Sequence, residues 1–407
     1  MNKLVVIGAG HSAGHLLAEL QKRNYQAEIT LIGSEAHLPY QRPPLSKAFL
    51  DAAGFDESRL HLRGSAFYSD AGIALKLNTV AASIDPVSKT IRLADGTTEH
   101  YDNLVLATGA RARDLQAPGR QLKRIGTLRG LDDAKRLRLE LADCRNLVIV
   151  GGGFIGLEIA STASKRGIHV TLLEAGPRLL SRNTSPFVSG VLQRAHRDAG
   201  VDIRMQAQVQ AFEGTDTVEA VVCANGDRFA ADLVVIGIGS EPEIALAQSA
   251  DLAVDRNGIL VDALARTSDP AILAIGDCAA ISDIESGRLL RLESVQCAMD
   301  QAVVAAAHLS GDTLPSKTVP WFWSEQHQFK LQIAGLSLPD DQTVVRSVEG
   351  SDAFSEFYIR EGKLVAVAAL NRPADAIFVR KALSTGAVHP NLIKLADPAV
   401  TLAEAFA

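Results

Sequence analysis

Across most of the chain, short apolar runs alternate with longer amphipathic stretches, and the pattern is written twice. Leu4-Val5-Val6-Ile7 leads into an amphipathic segment at 13–23 and then a second run, Glu28-Ile29-Thr30-Leu31-Ile32. A short apolar run bounded by turn residues reads as a strand covered on both faces, and recurrence at helical spacing reads as the helix that covers it. After a proline-bearing stretch, Leu38-Pro39-Tyr40-Gln41-Arg42-Pro43-Pro44-Leu45-Ser46-Lys47, runs near 73–80, 84–85 and 90–93 predict strands, with Asp95-Gly96 as a hairpin turn. Tyr101 to Ala110 predicts a buried strand ending in a turn at Gly109. The second copy opens with Leu147-Val148-Ile149-Val150, continues through a helix at 155–166 and the strand Val170-Thr171-Leu172-Leu173-Glu174, and closes with Asp232 to Gly239. Asp269 to Asp277 predicts a further buried strand, and 294–309 a helix. From about 325 the period changes to alternating strands at 330–334, 342–348, 354–360 and 363–370, followed by short helices, which predicts a separate α+β domain.

Each copy carries a glycine-rich turn between its first strand and first helix. These are Gly8-Ala9-Gly10-His11-Ser12-Ala13 and, 143 residues on from Gly8, Gly151-Gly152-Gly153-Phe154-Ile155-Gly156. Such turns let the backbone approach a pyrophosphate, and the helix N-terminus that follows favours its negative charge. One turn of this kind is a weak signal. Two in strand–turn–helix context predict a chain that holds two dinucleotides at once, in order to pass electrons between them. In the first turn the third position is Ala13, which the fingerprint permits. In the second all three glycines are present, and Glu174 lies 18 residues beyond Gly156. A carboxylate there accepts both ribose hydroxyls and repels a 2′-phosphate, favouring NADH over NADPH; Arg178 is the one feature pulling the other way. In the first copy Gly33 takes the place of Glu174, which leaves Ser34 or Glu35 to meet the adenosine ribose, or Glu35 simply solvated.

At 407 residues and 47% hydrophobic, the chain suits two or three domains with ordinary cores. A formal charge of −6 and a pI near 6.0 argue against general nucleic-acid binding, which draws on basic surface. No apolar run approaches the roughly 18 residues of a transmembrane helix. Strand and glycine turn follow Met1 so closely that no signal peptide is expected. The four cysteines (Cys144, Cys223, Cys278, Cys297) are scattered like reduced cytosolic thiols, and neither they nor the ten dispersed histidines form a metal-ligand pattern. The expectation is a cytoplasmic protein with no metal, no membrane contact and no nucleic-acid partner.

The order of the two glycine turns, the 38–47 stretch, Ala107-Thr108-Gly109, Gly276-Asp277-Cys278-Ala279 and Pro320-Trp321-Phe322-Trp323-Ser324 resembles the bacterial FAD-dependent ferredoxin reductases that serve oxygenases. The glycine turns are shared by many flavoproteins. The proline-rich stretch followed by Trp-Phe-Trp is much more specific, and the likeness covers nearly the whole chain. It implies an α/β fold of glutathione-reductase-like architecture, with two Rossmann-like dinucleotide-binding domains and a C-terminal α+β domain. FAD would occupy 1–109 with 242–324, NADH would occupy 110–241, and the tail, 325–407, would form a floor beside the flavin.

The resemblance also implies roles for individual residues. Gly8, Gly10, Ser12, Ala13, Arg42, Val80, Arg129 and Val295 match FAD contacts, the two arginines being the candidates for phosphate or adenine. Ala107, Thr108, Gly109 and Gly276 match the same cofactor site. Asp277 would meet the ribityl hydroxyls, with a helix N-cap as its competing role. On the nicotinamide side stand Gly151, Gly153, Phe154, Ile155, Gly156, Glu174 and Gly239. Lys47 matches a lysine near flavin N5 that pairs with a glutamate on the helix after the second glycine turn, here Glu158. Lys47 would stabilise negative charge on the flavin and Glu158 would orient it, while hydride passes directly between the cofactors. Taken alone, the two would read as a surface lysine and a solvated helix glutamate. Trp323, and less so Trp321, could pack on the flavin edge, or both could fill a domain junction.

Disulfide reductases sharing this plan carry two cysteines where Pro43 to Phe49 has none, so no dithiol relay can take the electrons. The reading is an NADH-dependent ferredoxin reductase, passing electrons one at a time to a [2Fe-2S] ferredoxin that feeds a cytochrome P450 or Rieske-type oxygenase. Ferredoxins are typically acidic, and Arg288, Arg291, Lys330, Arg372, Arg380 and Lys381 are candidates for a basic docking face. The alternatives are a rubredoxin reductase or NADH oxidase and, in another class, a redox-sensing interaction protein like apoptosis-inducing factor.

Overall fold

The two apolar repeats fold into two parallel five-stranded sheets in which four strands follow the same order, the fifth coming from after the repeat in one and from before it in the other. The computed structural model describes residues 2–51, 54–283, 287–316, 318–386 and 388–407. They fall into two compact units. One comprises Met1–Arg42, Asp56–Arg111 and Ser240–Ser316, the other Pro43–Phe55, Ala112–Gly239 and Lys317–Ala407.

In the first unit the strand order is Ile272–Ala274, Asn103–Leu106, Lys3–Ile7, Glu28–Ile32, Ala74–Lys76. Period-two alternation explains why these strands are apolar throughout, since each face has its own cover. Leu4, Val6, Leu31 and Val105 pack with Leu16, Leu17 and Leu20 of the helix His11–Lys22 and with Ala302, Ala305 and Ala306 of the helix Val295–Ser310. Val5, Ile7, Leu104 and Leu106 pack with Ile84, Ile91 and Leu93 of an antiparallel meander, Ala81–Asp85, Thr90–Leu93, Thr98–His100. Each fully buried leucine or isoleucine contributes about 1.5–3 kcal/mol relative to exposure. The expected Asp95-Gly96 turn closes the second hairpin, with Gly96 at φ +87° and Leu93 N–H donating to Thr97 O at 2.8 Å.

The second unit repeats the sheet as Asp202–Met205, His169–Glu174, Asn146–Val150, Leu233–Ile236, Ile125–Thr127. It also repeats the meander, Val209–Glu213, Ala220–Cys223, Arg228–Ala230, down to the irregularity near its start, between Val209 and Ala211 here and between Ala81 and Ser83 in the first copy. No long apolar run in the sequence marks this second meander, whose strands are short. The rest of the unit is an antiparallel sheet ordered Trp321–Gln326, Phe329–Gly335, Lys363–Leu370, Phe354–Arg360, Gln342–Ser347, with the helix Pro373–Thr385 packed on it.

Two expected boundaries move. The tail sheet starts at 321 rather than 325, because Trp321–Gln326 pairs residue for residue with Phe329–Gly335. The 43–55 segment, expected within the first block, belongs to the second unit. There Arg166 donates to Leu50 O (3.1 Å), Thr162 donates to Ser46 O (3.1 Å), and the Arg138 guanidinium lies 4.3 Å from the Phe49 ring centre.

Candidate functional site

Both glycine turns are shaped by contacts that only glycine permits. Gly8 and Gly151 sit at φ +108°, and a Cβ on either would overlap a neighbouring carbonyl oxygen, that of Ala107 or of Gly237. Gly10 and Gly153 differ. Their extended backbones (φ −97° and −82°) suit any residue, and a Cβ would meet nothing within 4 Å at Gly10 and only Gly237 O at 3.8 Å at Gly153. What glycine leaves there is open space beside a helix N-terminus. No side chain caps His11–Lys22 or Phe154–Lys165, whereas Ser185, Ser294, Asn391 and Thr401 cap theirs. Uncapped N–H groups facing an open cradle fit a diphosphate. Gly156 is closed: a Cβ would overlap Gly151 O, so helix and strand pack tightly, while Ala13, wholly buried, takes that place in the first copy.

The strand register confirms the equivalence of Gly33 and Glu174, each following the residue paired with the end of its central strand. Neighbouring residues explain the exchange. A Cβ on Gly33 would lie 2.7 Å from Ala9 Cβ; in the second copy Gly152 replaces Ala9 and leaves room for Glu174. The Glu174 carboxylate accepts from Gly152 N (2.7 Å) and Gly176 N (2.6 Å), which fixes it at the lip of the turn with lone pairs to spare. Arg178 turns to main-chain carbonyls, Ser181 O at 2.9 Å and Ser185 O at 3.5 Å. Gly239 (φ +106°) follows the Leu233–Ile236 strand, and Arg182 is its nearest side chain. Ile155 is exposed, and the Phe154 ring rests on Phe322 at 4.5 Å.

In the first unit Ser34 is exposed, whereas Glu35 is half-buried and far from simply solvated. It accepts from Tyr40 Oη (2.6 Å) and pairs with Arg42 (2.7 Å), whose guanidinium lies 5.0 Å from the Tyr40 ring centre. Burial pushes the Glu35 carboxyl up, but the Arg42 charge and the two hydrogen bonds outweigh it and hold it below its ordinary value. Burial pulls the Arg42 guanidinium down; Tyr40, Glu35 and Asp277 more than reverse this. Asp277 therefore shares an electrostatic neighbourhood with Arg42. It occupies a turn before the strand Ala279–Asp283, so the N-cap reading is excluded: the next helix begins at Val295 and is capped by Ser294. Gly276 (φ +81°) faces Ser12, whose hydroxyl would lie 2.7 Å from a Cβ there, and its N–H donates to Gln301 Oε1 at 2.6 Å. Thr108 donates to Glu243 O at 2.7 Å, and Gly109 turns at φ +71°. Val80 stays 52% exposed. Arg129 belongs to the second unit, beside the Gly130 cap of the helix Leu131–Glu140.

Lys47 and Glu158 lie together within the second unit, Nζ to Oε2 at 2.7 Å. Glu158 is 5% exposed. A buried carboxylate needs more than one partner, and it has them: Ser46 also donates to Oε2, and Ser324 donates to Oε1 at 2.7 Å. The Lys47 ammonium further donates to Pro43 O at 3.2 Å. Ser46 and Ser324 were missed in the sequence, although alternation along Trp321–Gln326 signals the latter. Phe322, Ser324 and Gln326 share one face and meet the Phe154–Lys165 helix and its neighbours. Trp321 and Trp323 share the other and stack at 5.0 Å, with Arg380 4.8 Å from the Trp321 ring.

The six basic candidates are divided between the two units. Arg288 and Arg291 are in the first unit and the other four in the second. Arg291 pairs with Glu293 (2.6 Å), Lys330 with Glu325 (3.7 Å) and Arg372 with Asp375 (3.1 Å); Arg288 and Lys381 are exposed. Among the described residues no cluster of three or more His, Cys, Asp or Glu is placed to hold a metal, and no helix is long and apolar enough to cross a membrane.

Residues 2–302 match the pyridine nucleotide-disulphide oxidoreductase family, and 321–406 match the reductase C-terminal family. The chain is 43% identical to rhodocoxin reductase of Rhodococcus erythropolis, over 94% of this chain and 89% of that one. Among solved structures, the ferredoxin reductase for the CYP199A2 system from Rhodopseudomonas palustris superposes with a TM-score of 0.95 at 40% identity, covering all of both chains. A covalent putidaredoxin reductase–putidaredoxin complex gives a TM-score of 0.95 at 38% identity, over 99% of this chain and 97% of that one.

Proposed function

The chain belongs to the pyridine nucleotide-disulphide oxidoreductases, among the FAD-dependent ferredoxin reductases of oxygenase systems, and we propose that it takes hydride from NADH and hands electrons singly to a [2Fe-2S] ferredoxin. The observation that carries this reading is the pair of open, uncapped glycine cradles, of which only the second has an acid at the ribose position. The first unit holds FAD: Gly8, Gly10 and the start of His11–Lys22 take the diphosphate, Glu35 and Arg42 the adenosine side, Asp277 the ribityl hydroxyls. When bound, FAD accepts an electron pair as hydride and can release the electrons one by one. The second unit holds NADH, with Gly151, Gly153 and the start of Phe154–Lys165 on the diphosphate and Glu174 on the ribose. Because Arg178 is engaged by carbonyl oxygens, nothing at that position rewards a 2′-phosphate. Lys47 keeps a positive charge in place against a carboxylate anchored by two serines, and the Phe154–Phe322 pair provides an apolar wall beside it.

The acceptor is a small iron–sulfur protein, a reading supported by the relative solved in covalent complex with putidaredoxin and by the absence of any thiol in 43–49. The downstream user is a P450 or Rieske-type oxygenase. We place the protein in the cytoplasm, where its four free cysteines stay reduced. Stopped-flow absorbance of the purified holoprotein tests the whole reading. Flavin absorbance should bleach with NADH far faster than with NADPH, and one or more [2Fe-2S] ferredoxins should reoxidise it faster than air does. Protein that takes up no flavin, or whose oxygen consumption matches its best ferredoxin rate, would overturn it.

A further inference from the structure

The hydrogen bonds around Glu158 do not stop at its partners. Ser324 Oγ accepts from Gln326 Nε2 at 3.1 Å, Gln326 Oε1 meets His196 Nε2 at 3.0 Å, and His196 Nδ1 meets His327 Nε2 at 3.1 Å. Gln326 is 2% exposed and His196 fully buried, whereas His327 is half-buried in the turn between Trp321–Gln326 and Phe329–Gly335. The two imidazoles meet edge to face, 4.5 Å between centres. A continuous polar thread therefore runs through the second unit from the carboxylate beside Lys47 to a partly exposed histidine.

Its direction is dictated by chemistry. An ionised carboxylate only accepts, so Ser324 donates to it and its oxygen is left to accept from the Gln326 amide nitrogen. That orientation presents the Gln326 carbonyl to His196, whose Nε2 must carry hydrogen. A neutral imidazole has one N–H, so His196 Nδ1 accepts and His327 Nε2 donates. Every dipole in the thread thus has its positive end towards Glu158, and aligned hydrogen bonds of this kind polarise one another.

We propose that Ser324, Gln326, His196 and His327 are positioning residues for the Lys47–Glu158 pair, a one-way thread that keeps Glu158 Oε1 occupied so that the ammonium always meets Oε2. The proposal rests on the reading of that pair as serving hydride transfer. The surrounding charges fit neutral imidazoles. Burial holds His196 down at about 4, with His327 adding to the effect against the Gln326 hydrogen bond. Burial and then the charge of Lys165, whose Nζ lies 3.3 Å from His327 O, hold His327 below its ordinary value. Of the other charged groups on the packed elements, Glu325 is exposed and paired with Lys330, Arg166 is engaged by the carbonyls of Leu50 and Leu141, and Arg194, Arg197 and Asp198 on the His196 helix are exposed.

Two measurements on the flavin-loaded protein test the proposal. Nitrogen-15 NMR of the imidazoles should show both His196 and His327 as neutral Nε2–H tautomers at neutral pH. In Gln326→Leu, which cuts the thread, the NADH bleaching rate should fall roughly tenfold, about 1.4 kcal/mol, with KM for NADH within about twofold. His327→Asn keeps a residue that tolerates φ +52° and the main-chain N–H bond to Ser161, and should slow bleaching less. Thermal melting of both variants separates lost positioning from lost fold. Wild-type rings in the other tautomer, or bleaching rates of both variants that match wild type, would overturn the proposal. If Glu158→Gln bleaches at the wild-type rate, it is the underlying reading of the pair that fails, whatever the tautomers show.

Discussion

Replacing Gly10 by alanine separates cofactor recognition from folding in a single methyl group. The backbone at Gly10 lies in the extended region, and the new Cβ touches no protein atom within 4 Å. The apoprotein should therefore be unharmed, and about 0.4–1 kcal/mol more stable because the unfolded chain loses glycine's freedom. If that open space is where the FAD diphosphate lies, the methyl overpacks it, at about 1–3 kcal/mol, or roughly 5- to 150-fold in affinity. Gly8→Ala does the reverse. At φ +108° with a Cβ overlapping Ala107 O, it costs the apoprotein itself about 1–3 kcal/mol of backbone strain before the overlap is counted. Gly153→Ala repeats the experiment in the second copy, raising KM for NADH by a similar factor while flavin content stays full. The assay is chemical denaturation of the apoproteins beside fluorescence titration with FAD. A Gly10→Ala protein that binds FAD as tightly as wild type, or whose apo form is weakened as much as Gly8→Ala, refutes the reasoning.

Glu174→Ala removes the acceptor of two main-chain N–H groups and the candidate ribose ligand; the NADH-over-NADPH preference in kcat/KM should fall by about 10- to 100-fold, the worth of a hydrogen bond to a charged group. Arg346 is 5% exposed and donates to the carbonyls of Leu395, Asp397, Pro398 and Val400. Arg346→Ala should lower stability by about 3 kcal/mol and open the C-terminal segment to limited proteolysis, with FAD binding unchanged. Glu35, whose folded carboxyl lies below its ordinary 4.5, stabilises the fold fully above that value and loses the contribution as pH falls through the lower folded one. Denaturation midpoints between pH 5 and 3 should accordingly fall less steeply in Glu35→Gln than in wild type, and equal slopes would contradict the pairing with Arg42.

Where a residue acts through local backbone chemistry, the sequence was enough. Apolar runs of strand length, glycines at fixed offsets and the switch of period near 325 specify two parallel sheets, two dinucleotide turns and an antiparallel tail, because each depends on neighbours a few positions away. Glu174 belongs to this class: its place is set by the register of one strand against the next. The second meander escaped notice because its strands are short and each exposes alternate residues, so no run stands out. The exchange of Ala9 with Gly33 for Gly152 with Glu174 is a different matter, for it is decided by which of two facing backbones leaves space for a side chain.

What tertiary structure alone decided is everything that depends on distant segments meeting. That Lys47 travels with the second unit, that Ser46 and Ser324 converge on Glu158 from either side, and that a thread continues to His196 and His327 follow from packing among stretches lying more than a hundred residues apart in the chain. A buried charge must gather its donors from whatever the fold brings near it, and linear order says nothing about which those will be. The same holds for the six basic residues, whose sequence suggested a face and whose surroundings had already paired several of them with acids. Chain chemistry names the ligands this protein is made to hold; the three-dimensional arrangement selects which side chains are left free to handle them.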